Sequence, residues 1–300
     1  MFTLKSVSLL ALASTAWAAT LTVNPSTTYQ TIDGFGGMNG WTTMPNADVK
    51  TAYSPSGLNF NIFRVRLSDN QNDWASIAAM TKYAYSVNPN IKVFASAWAP
   101  PANMLDKNNV PSSCHIKQVL ATSSYAAYAT YLNSFITYMK NNGAPLYAIS
   151  MQNEPDWDWT CWTPEQMVSW LKQYGSQITG ALMIAPEPLG MSSKYINAVL
   201  SDSTAAANVD IVGGHIYGSN PYSFDSKGKP IWMTEHLLND NVGWAETMTM
   251  AREINSVFTS GWNAYLWWYI RRYYSFIGDG EQGTTSGAIL PRVQPGGLHG

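Results

Sequence analysis

Leu146-Tyr147-Ala148-Ile149-Ser150-Met151-Gln152-Asn153-Glu154-Pro155 is an apolar run that stops at a glutamate and a proline. Its apolar part has the length of a strand, and Pro155 cannot continue a hydrogen-bonded ladder. A second stretch has the same form: Pro230-Ile231-Trp232-Met233 runs into Thr234-Glu235-His236. Outward from these two, apolar runs followed by polar loops recur at 34–38, 62–67, 91–97, 147–151, 182–185, 211–214, 231–234 and 264–270. Nearly continuous apolar character is what a parallel strand buried on both faces requires. Helix-like segments lie between most of them, at 74–87, 123–141, 164–179, 194–201 and 245–259. Thr163 before Pro164 reads as an N-cap and first helical residue. Eight strands alternating with helices predict an α/β fold, a (β/α)8 barrel. A doubly wound open sheet is the alternative. It is disfavoured because Gly34-Phe35-Gly36-Gly37 lacks the spacing and the following helix of a phosphate-binding loop.

In such a barrel the chemistry sits where the strands end. Glu154 and Glu235 fall there, on the fourth and seventh runs. Two carboxylates of this kind suit cleavage of a glycosidic bond, one protonating the leaving oxygen and the other attacking the anomeric carbon. Taken singly, either glutamate reads equally well as a solvated loop residue or a helix cap. Aromatics are plentiful, with 13 Trp, 17 Tyr and 9 Phe. Most are expected in the core. Trp41, Trp98, Trp157, Trp159, Trp162 and Tyr217, however, lie beside polar residues at strand ends, where a ring can cover the C–H face of a sugar.

Charged residues make up 12% of the chain and the formal net charge is −2. That balance argues against nucleic acid or an anionic membrane as partner and suits a neutral or locally charged polymer. Residues 1–18 read as a secretory signal: Lys5, an apolar segment from Val7 to Ala13, and Ala16-Trp17-Ala18 as a cleavage site. No later run is long enough to span a bilayer, so a secreted, soluble protein is expected; a monomer is expected as a separate matter. In an oxidising compartment Cys114 and Cys161 favour one disulfide, with two buried free thiols as the alternative. The four histidines have no metal-ligand spacing, and neither a metal nor a cofactor is expected.

At these residues the chain resembles glycoside hydrolase family 30, and within it the xylanases that act on glucuronoxylan. The similar segments are Asp33-Gly34-Phe35-Gly36-Gly37, Phe63-Arg64-Val65-Arg66, Ala97-Trp98-Ala99-Pro100-Pro101, Gln152-Asn153-Glu154-Pro155, Gly214-His215-Ile216-Tyr217-Gly218, Trp232-Met233-Thr234-Glu235-His236 and Trp267-Trp268-Tyr269-Ile270-Arg271-Arg272. They occur in family order over 21–290. The resemblance implies a retaining endo-β-1,4-xylanase, with Glu154 as acid/base and Glu235 as nucleophile. It also implies that Asn153 binds the sugar 2-hydroxyl, that Arg64 and His215 support the pair, and that Trp98, Tyr217 and Trp268 line subsites. Strand alternation is expected to put Trp268, Ile270 and Arg272 on one face. The resemblance implies that Arg272 and Tyr274 hold a glucuronate carboxylate, for which a guanidinium fork is suited.

The chain departs from the family in two places. Asp240 stands where a serine is expected, and a carboxylate there repels glucuronate. Residues 291–300 match nothing in the family and are expected to be disordered, in place of the strands that complete a side β-sandwich. The domain reading is therefore a signal at 1–18, an N-terminal strand of an incomplete sandwich at 19–30, the catalytic barrel at 31–290, and the tail. Two further readings stay open: a family relative cutting another β-glycan, such as a β-1,6-glucan or a glucosylceramide, and a truncated carbohydrate-binding chain without activity.

Overall fold

The computed structural model describes residues 22–41, 43–157, 159–238 and 244–270. In chain order the elements are β1 (Gly34–Met38), α1 (Asn46–Tyr53), β2 (Ile62–Leu67), α2 (Trp74–Val87), β3 (Lys92–Ala97), β4 (Leu105–Asp106), β5 (Val119–Leu120), α3 (Tyr125–Asn141), β6 (Ala148–Ser150), α4 (Pro164–Tyr174), β7 (Leu182–Pro186), α5 (Ser193–Ser201), α6 (Ser203–Ala207), β8 (Ile211–His215), β9 (Ile231–His236), α7 (Trp244–Thr259) and β10 (Ala264–Tyr269). Eight parallel strands close a barrel in the order β1-β10-β9-β8-β7-β6-β3-β2. The expected (β/α)8 architecture is what forms. An open sheet is excluded because β1 pairs with both β2 and β10. The short β4–β5 ribbon, which the apolar pattern did not indicate, is antiparallel and lies in the loop after β3.

Strand alternation sorts the core into layers. Ile62, Phe94, Ala148, Ile184, Ile211, Trp232, Ala264 and Leu266 fill the barrel interior. The intervening residues of the same strands, such as Phe63, Val65, Val93, Ala95 and Ile149, pack outward against helix residues Tyr53, Ile77, Leu132, Phe135 and Trp170. A second outer layer joins Val212, Ile231 and Met233 to Ile196, Leu200 and Val257 of α5 and α7. The α4 start is set by a complete capping box between Thr163 and Gln166, with Pro164 in the first turn, as the sequence indicated. At the seam between β1 and its neighbours, a Cβ on Gly36 would lie 1.7 Å from the Ile62 carbonyl oxygen. One on Gly37 would lie 2.3 Å from that of Trp267. The Gly-Phe-Gly-Gly run is thus a packing requirement of barrel closure.

Two expectations are corrected. Residues 22–30 hold a turn at Pro25-Ser26 and no strand, the Thr27 N–H donating to the Asn24 carbonyl at 3.3 Å. The N-terminal strand expected at 19–30 is therefore absent over its described part. A strand needs a partner for its ladder, and Val23 and Tyr29 are exposed with none beside them among the described residues. Trp268 and Ile270 also do not share a face. Met38 pairs with Tyr269 while Gly37 pairs with Trp267, so β10 carries one extra residue and its alternation breaks. Trp268 faces the barrel mouth, whereas Ile270 packs into the outer layer. The expected signal at 1–18, Asp240, Arg272, Tyr274 and the tail lie outside the described residues.

Candidate active site

Three glutamates converge at the carboxyl ends of the strands, and a local irregularity aims each one. Met233 points outward and Trp232 inward, so plain alternation would turn Glu235 outward with Met233. The register slips by one residue against both neighbours, Gly214 pairing with Met233 but His215 with Glu235. This bulge in β9 swings Glu235 into the mouth. Glu154 follows β6 with φ 44° and Glu187 follows β7 with φ 54°, both left-handed conformations that side chains adopt sparingly. The backbones interlock, the Glu154 N–H donating to the Glu187 carbonyl at 3.0 Å.

Arg64, fully buried on β2, is the hub. Its guanidinium donates to Glu235 Oε2 in a short ion pair, to Asn153 Oδ1 at 2.5 Å and to Glu187 Oε1 at 3.1 Å. Nε donates to Ser96 Oγ at 3.1 Å, and the Trp98 ring lies 4.8 Å from Cζ. His215, at the end of β8, sets Nδ1 2.7 Å from Glu154 Oε1. Its Nε2 lies 3.7 Å from Glu187 Oε1 and 3.8 Å from Glu235 Oε2, beyond hydrogen-bond reach. Tyr217 donates its hydroxyl to Glu235 Oε1 at 3.1 Å. Behind it the His236 ring lies 4.8 Å away, and Glu253 of α7 takes His236 Nδ1 at 2.8 Å and the Tyr265 hydroxyl at 2.5 Å.

The protonation states follow from these contacts. Burial pushes the Glu154 carboxyl up, the bond and charge of His215 pull it down, and Glu235 raises it again, with a raised value as the net result. Burial disfavours a charged His215, but Glu235, Glu154 and Glu187 outweigh it and carry the imidazole to about 10. Burial also opposes the Glu187 anion, yet Arg64 and then His215 hold it at about 2. Burial and the charge of Glu235 keep the Tyr217 hydroxyl protonated.

The mouth is walled by rings. Trp41 meets Trp98 and Trp268 edge-on at 5.1 and 5.8 Å and stacks on Trp159 at 5.4 Å. Arg66 lies over Trp41 and Trp159 at 4.9 and 5.2 Å. Half-exposed Trp157 stacks on His115 at 4.9 Å. Trp162 by contrast is fully buried, a core residue. Cys114 and Cys161 form the expected disulfide, with Cα atoms 5.8 Å apart, tying the loop after β3 to that after β6. The structure thus brings together Glu154, Glu235, Asn153, Arg64, His215, Trp98, Tyr217 and Trp268. Sequence reading missed Glu187, Ser96 and Glu253. Only Glu187 left a trace, as a lone acid closing the fifth apolar run. Glu154, His215 and Glu235 offer ligand atoms within 4.8 Å of one another, a spacing a metal accepts. A metal needs neutral imidazole, however, whereas His215 Nδ1 is bonded to Glu154 and the surrounding carboxylates favour the charged ring.

Residues 51–228 match the glycosyl hydrolase family 30 TIM-barrel domain. The chain is 39% identical to the glucuronoxylanase XynC of Bacillus subtilis, over 95% of this chain and 71% of that protein. Among solved structures it is similar to a family 30 subfamily 8 xylanase from Clostridium acetobutylicum, with TM-score 0.73, 38% identity and coverage of 81% of this chain. It spans 65% of that protein's length. A family 30 endoxylanase from Clostridium papyrosolvens gives TM-score 0.74 and 34% identity, over 82% of this chain and 67% of that one.

Proposed function

The chain belongs to glycoside hydrolase family 30, and on that premise we propose that it is a secreted, monomeric, retaining endo-β-1,4-xylanase that cleaves xylan, by preference glucuronoxylan. The observation that carries this reading is the approach of Glu154 and Glu235, which have carboxylate oxygens within 4.8 Å of each other. A retaining pair stands about 5–5.5 Å apart, whereas an inverting pair leaves about 6.5–9.5 Å for a water. Glu235, paired with Arg64 and oriented by Tyr217, attacks the anomeric carbon as the glycosidic C–O bond breaks. Glu154 gives its proton to the leaving oxygen. In the second half Glu154 takes a proton from water, whose oxygen displaces Glu235 from the sugar. With Glu187 and Glu235 as anions and Arg64 and His215 as cations, the cluster is neutral when Glu154 carries its proton. Asn153, its Oδ1 held by Arg64, keeps its amide NH2 for the sugar 2-hydroxyl.

The preference for glucuronoxylan rests on the activity named for the Bacillus relatives and on Arg272 and Tyr274. Secretion rests on the reading of residues 1–18 and suits the disulfide. Product analysis on glucuronoxylan, unsubstituted xylan and a β-1,6-glucan tests the substrate. Cleavage of the first two is expected, with β-anomers appearing first by NMR. First-formed α-anomers, or action on the glucan alone, overturn the reading. Arg272→Ala should lower kcat/KM on glucuronoxylan about ten- to a hundred-fold, the worth of a charge-assisted hydrogen bond, and spare unsubstituted xylan.

A further inference from the structure

We propose that Glu187 is a positioning residue: a permanent counter-anion, never bonded to sugar, that keeps His215 an imidazolium aimed at the acid/base Glu154. The inference rests on the retaining reading above for what the aim achieves, and on geometry for the aim itself.

Glu187 has no accessible surface, whereas Glu154 and Glu235 each keep a small opening to the mouth. It therefore cannot touch a substrate. Its Oε1 accepts from Arg64 at 3.1 Å and from Ser96 Oγ at 3.1 Å, and stands 3.7 Å from His215 Nε2. Both reacting carboxylates change charge or become esterified during turnover. Glu187 is the one anion of the cluster that does neither, so it is the one negative charge present at every stage.

The value of a charged His215 lies in where it puts a proton. An imidazolium donates through Nδ1 to Glu154 Oε1, at 2.7 Å. Glu154 must then carry its own proton on Oε2, the remaining oxygen. A neutral imidazole with a bare Nδ1 does the reverse: it accepts the acid's proton and turns it away from the leaving group. The groups facing His215 are Glu154, Glu187, Glu235, Arg64 and Tyr217, with Asp156 further off. Arg64 opposes its charge, Tyr217 is neutral, and Glu154 is neutral before the proton moves. Glu187 and Glu235 remain, and Glu235 is consumed by the sugar.

The test compares the full chain with Glu187→Gln and Glu187→Asp. Ring nitrogen shifts of His215 are followed by NMR against pH, beside the pH profile of kcat/KM on xylan. In the unmutated protein both ring nitrogens should be protonated at pH 8. In Glu187→Gln the His215 titration should fall by at least about one pH unit, the effect of losing an adjacent charge. The alkaline limb of activity should follow it downward, and Glu187→Asp should restore part of both. A packing role would lower kcat at all pH values and leave both limbs in place, overturning the proposal. If the variants do not fold, the other residues still decide: a neutral His215 at pH 7 in the unmutated protein overturns it, and a cation that persists at pH 8 in Glu235→Gln, where Glu187 is the remaining fixed anion, supports it. Should the unmutated protein not cleave xylan, the retaining reading fails while the His215 titration still judges Glu187.

Discussion

The two ends of the barrel hold charge in opposite ways. At the amino-terminal end Asp33 pairs with Lys92 at 2.7 Å and accepts from Trp232 Nε1 at 2.9 Å. Asn61 and Asn263 bond the neighbouring backbone, taking the Phe35 and Ile231 amides at 2.9 and 2.7 Å. These groups are partly wet, and each has its partner. At the carboxyl end Arg64, Glu187 and His215 have no accessible surface, and His215 Nε2 and Glu187 Oε2 lack a hydrogen-bond partner. Dry and partly unsatisfied groups cost stability, a cost that natural folds accept where a site needs fixed charge. One end therefore reads as fastening and the other as chemistry.

The sharpest break between them is expected on replacing the two acids proposed to react. Glu235→Gln and Glu154→Gln should each lower turnover on xylan about a thousand-fold or more while circular dichroism shows an intact fold. In Glu235→Ala, azide should restore turnover and yield a product of inverted configuration. Full activity in either Gln variant would dissolve the distinction. The next largest effect concerns the long loops of the carboxyl end. Removing the disulfide by Cys114→Ser with Cys161→Ser opens a 47-residue separation, at a cost of about 4 kcal/mol in denaturant unfolding by the chain-entropy relation.

Raising the pH should expose the same contrast. The folded pKa of His215, about 10, lies above its ordinary 6.5, so its stabilisation is complete below pH 6.5 and is lost as pH rises toward 10. The slope is at most about 1.4 kcal/mol per pH unit. It should disappear in His215→Gln, which calorimetry across that range will measure. The smallest effect is expected at the other end. Asp33→Ala leaves Lys92 and Trp232 without their acceptor and should destabilise by about 1–3 kcal/mol, with kcat per folded molecule unchanged. A fall in kcat there would show that the two ends are coupled.

The barrel was legible because its strands are buried on both faces and so read as unbroken apolar runs. The starts and ends of β1 and β2 and of α2 could be taken from the sequence directly. Helix α1 was not legible: Asn46–Tyr53 is short and half polar, burying only Val49, Ala52 and Tyr53. Helix α6 is only five residues long, started by the Asp202 side chain on the Thr204 and Ala205 amides. At the site, Glu154 and Glu235 stood out because each closes an apolar run. Their aim did not, since alternation points Glu235 the wrong way and only pairing on both sides reveals the bulge. Glu187 was passed over for a related reason. Its partners Arg64, Ser96 and His215 come from three other strands, and no window of sequence holds them together.

The seam of glycines in β1 also bears on how the molecule is assembled. Gly36 pairs with Leu266, so the barrel closes only across a separation of most of the chain. Contacts of that range carry the greatest loop-closure entropy and form slowly. Until β10 arrives, β1 and β9 each present a free edge, the kind of edge that recruits other chains. A strand of the sequence Gly-Phe-Gly-Gly-Met is a weak strand former and a poor template for such recruitment. The same small residues that let the ring close tightly thus make its slowest edge the least adhesive while it waits.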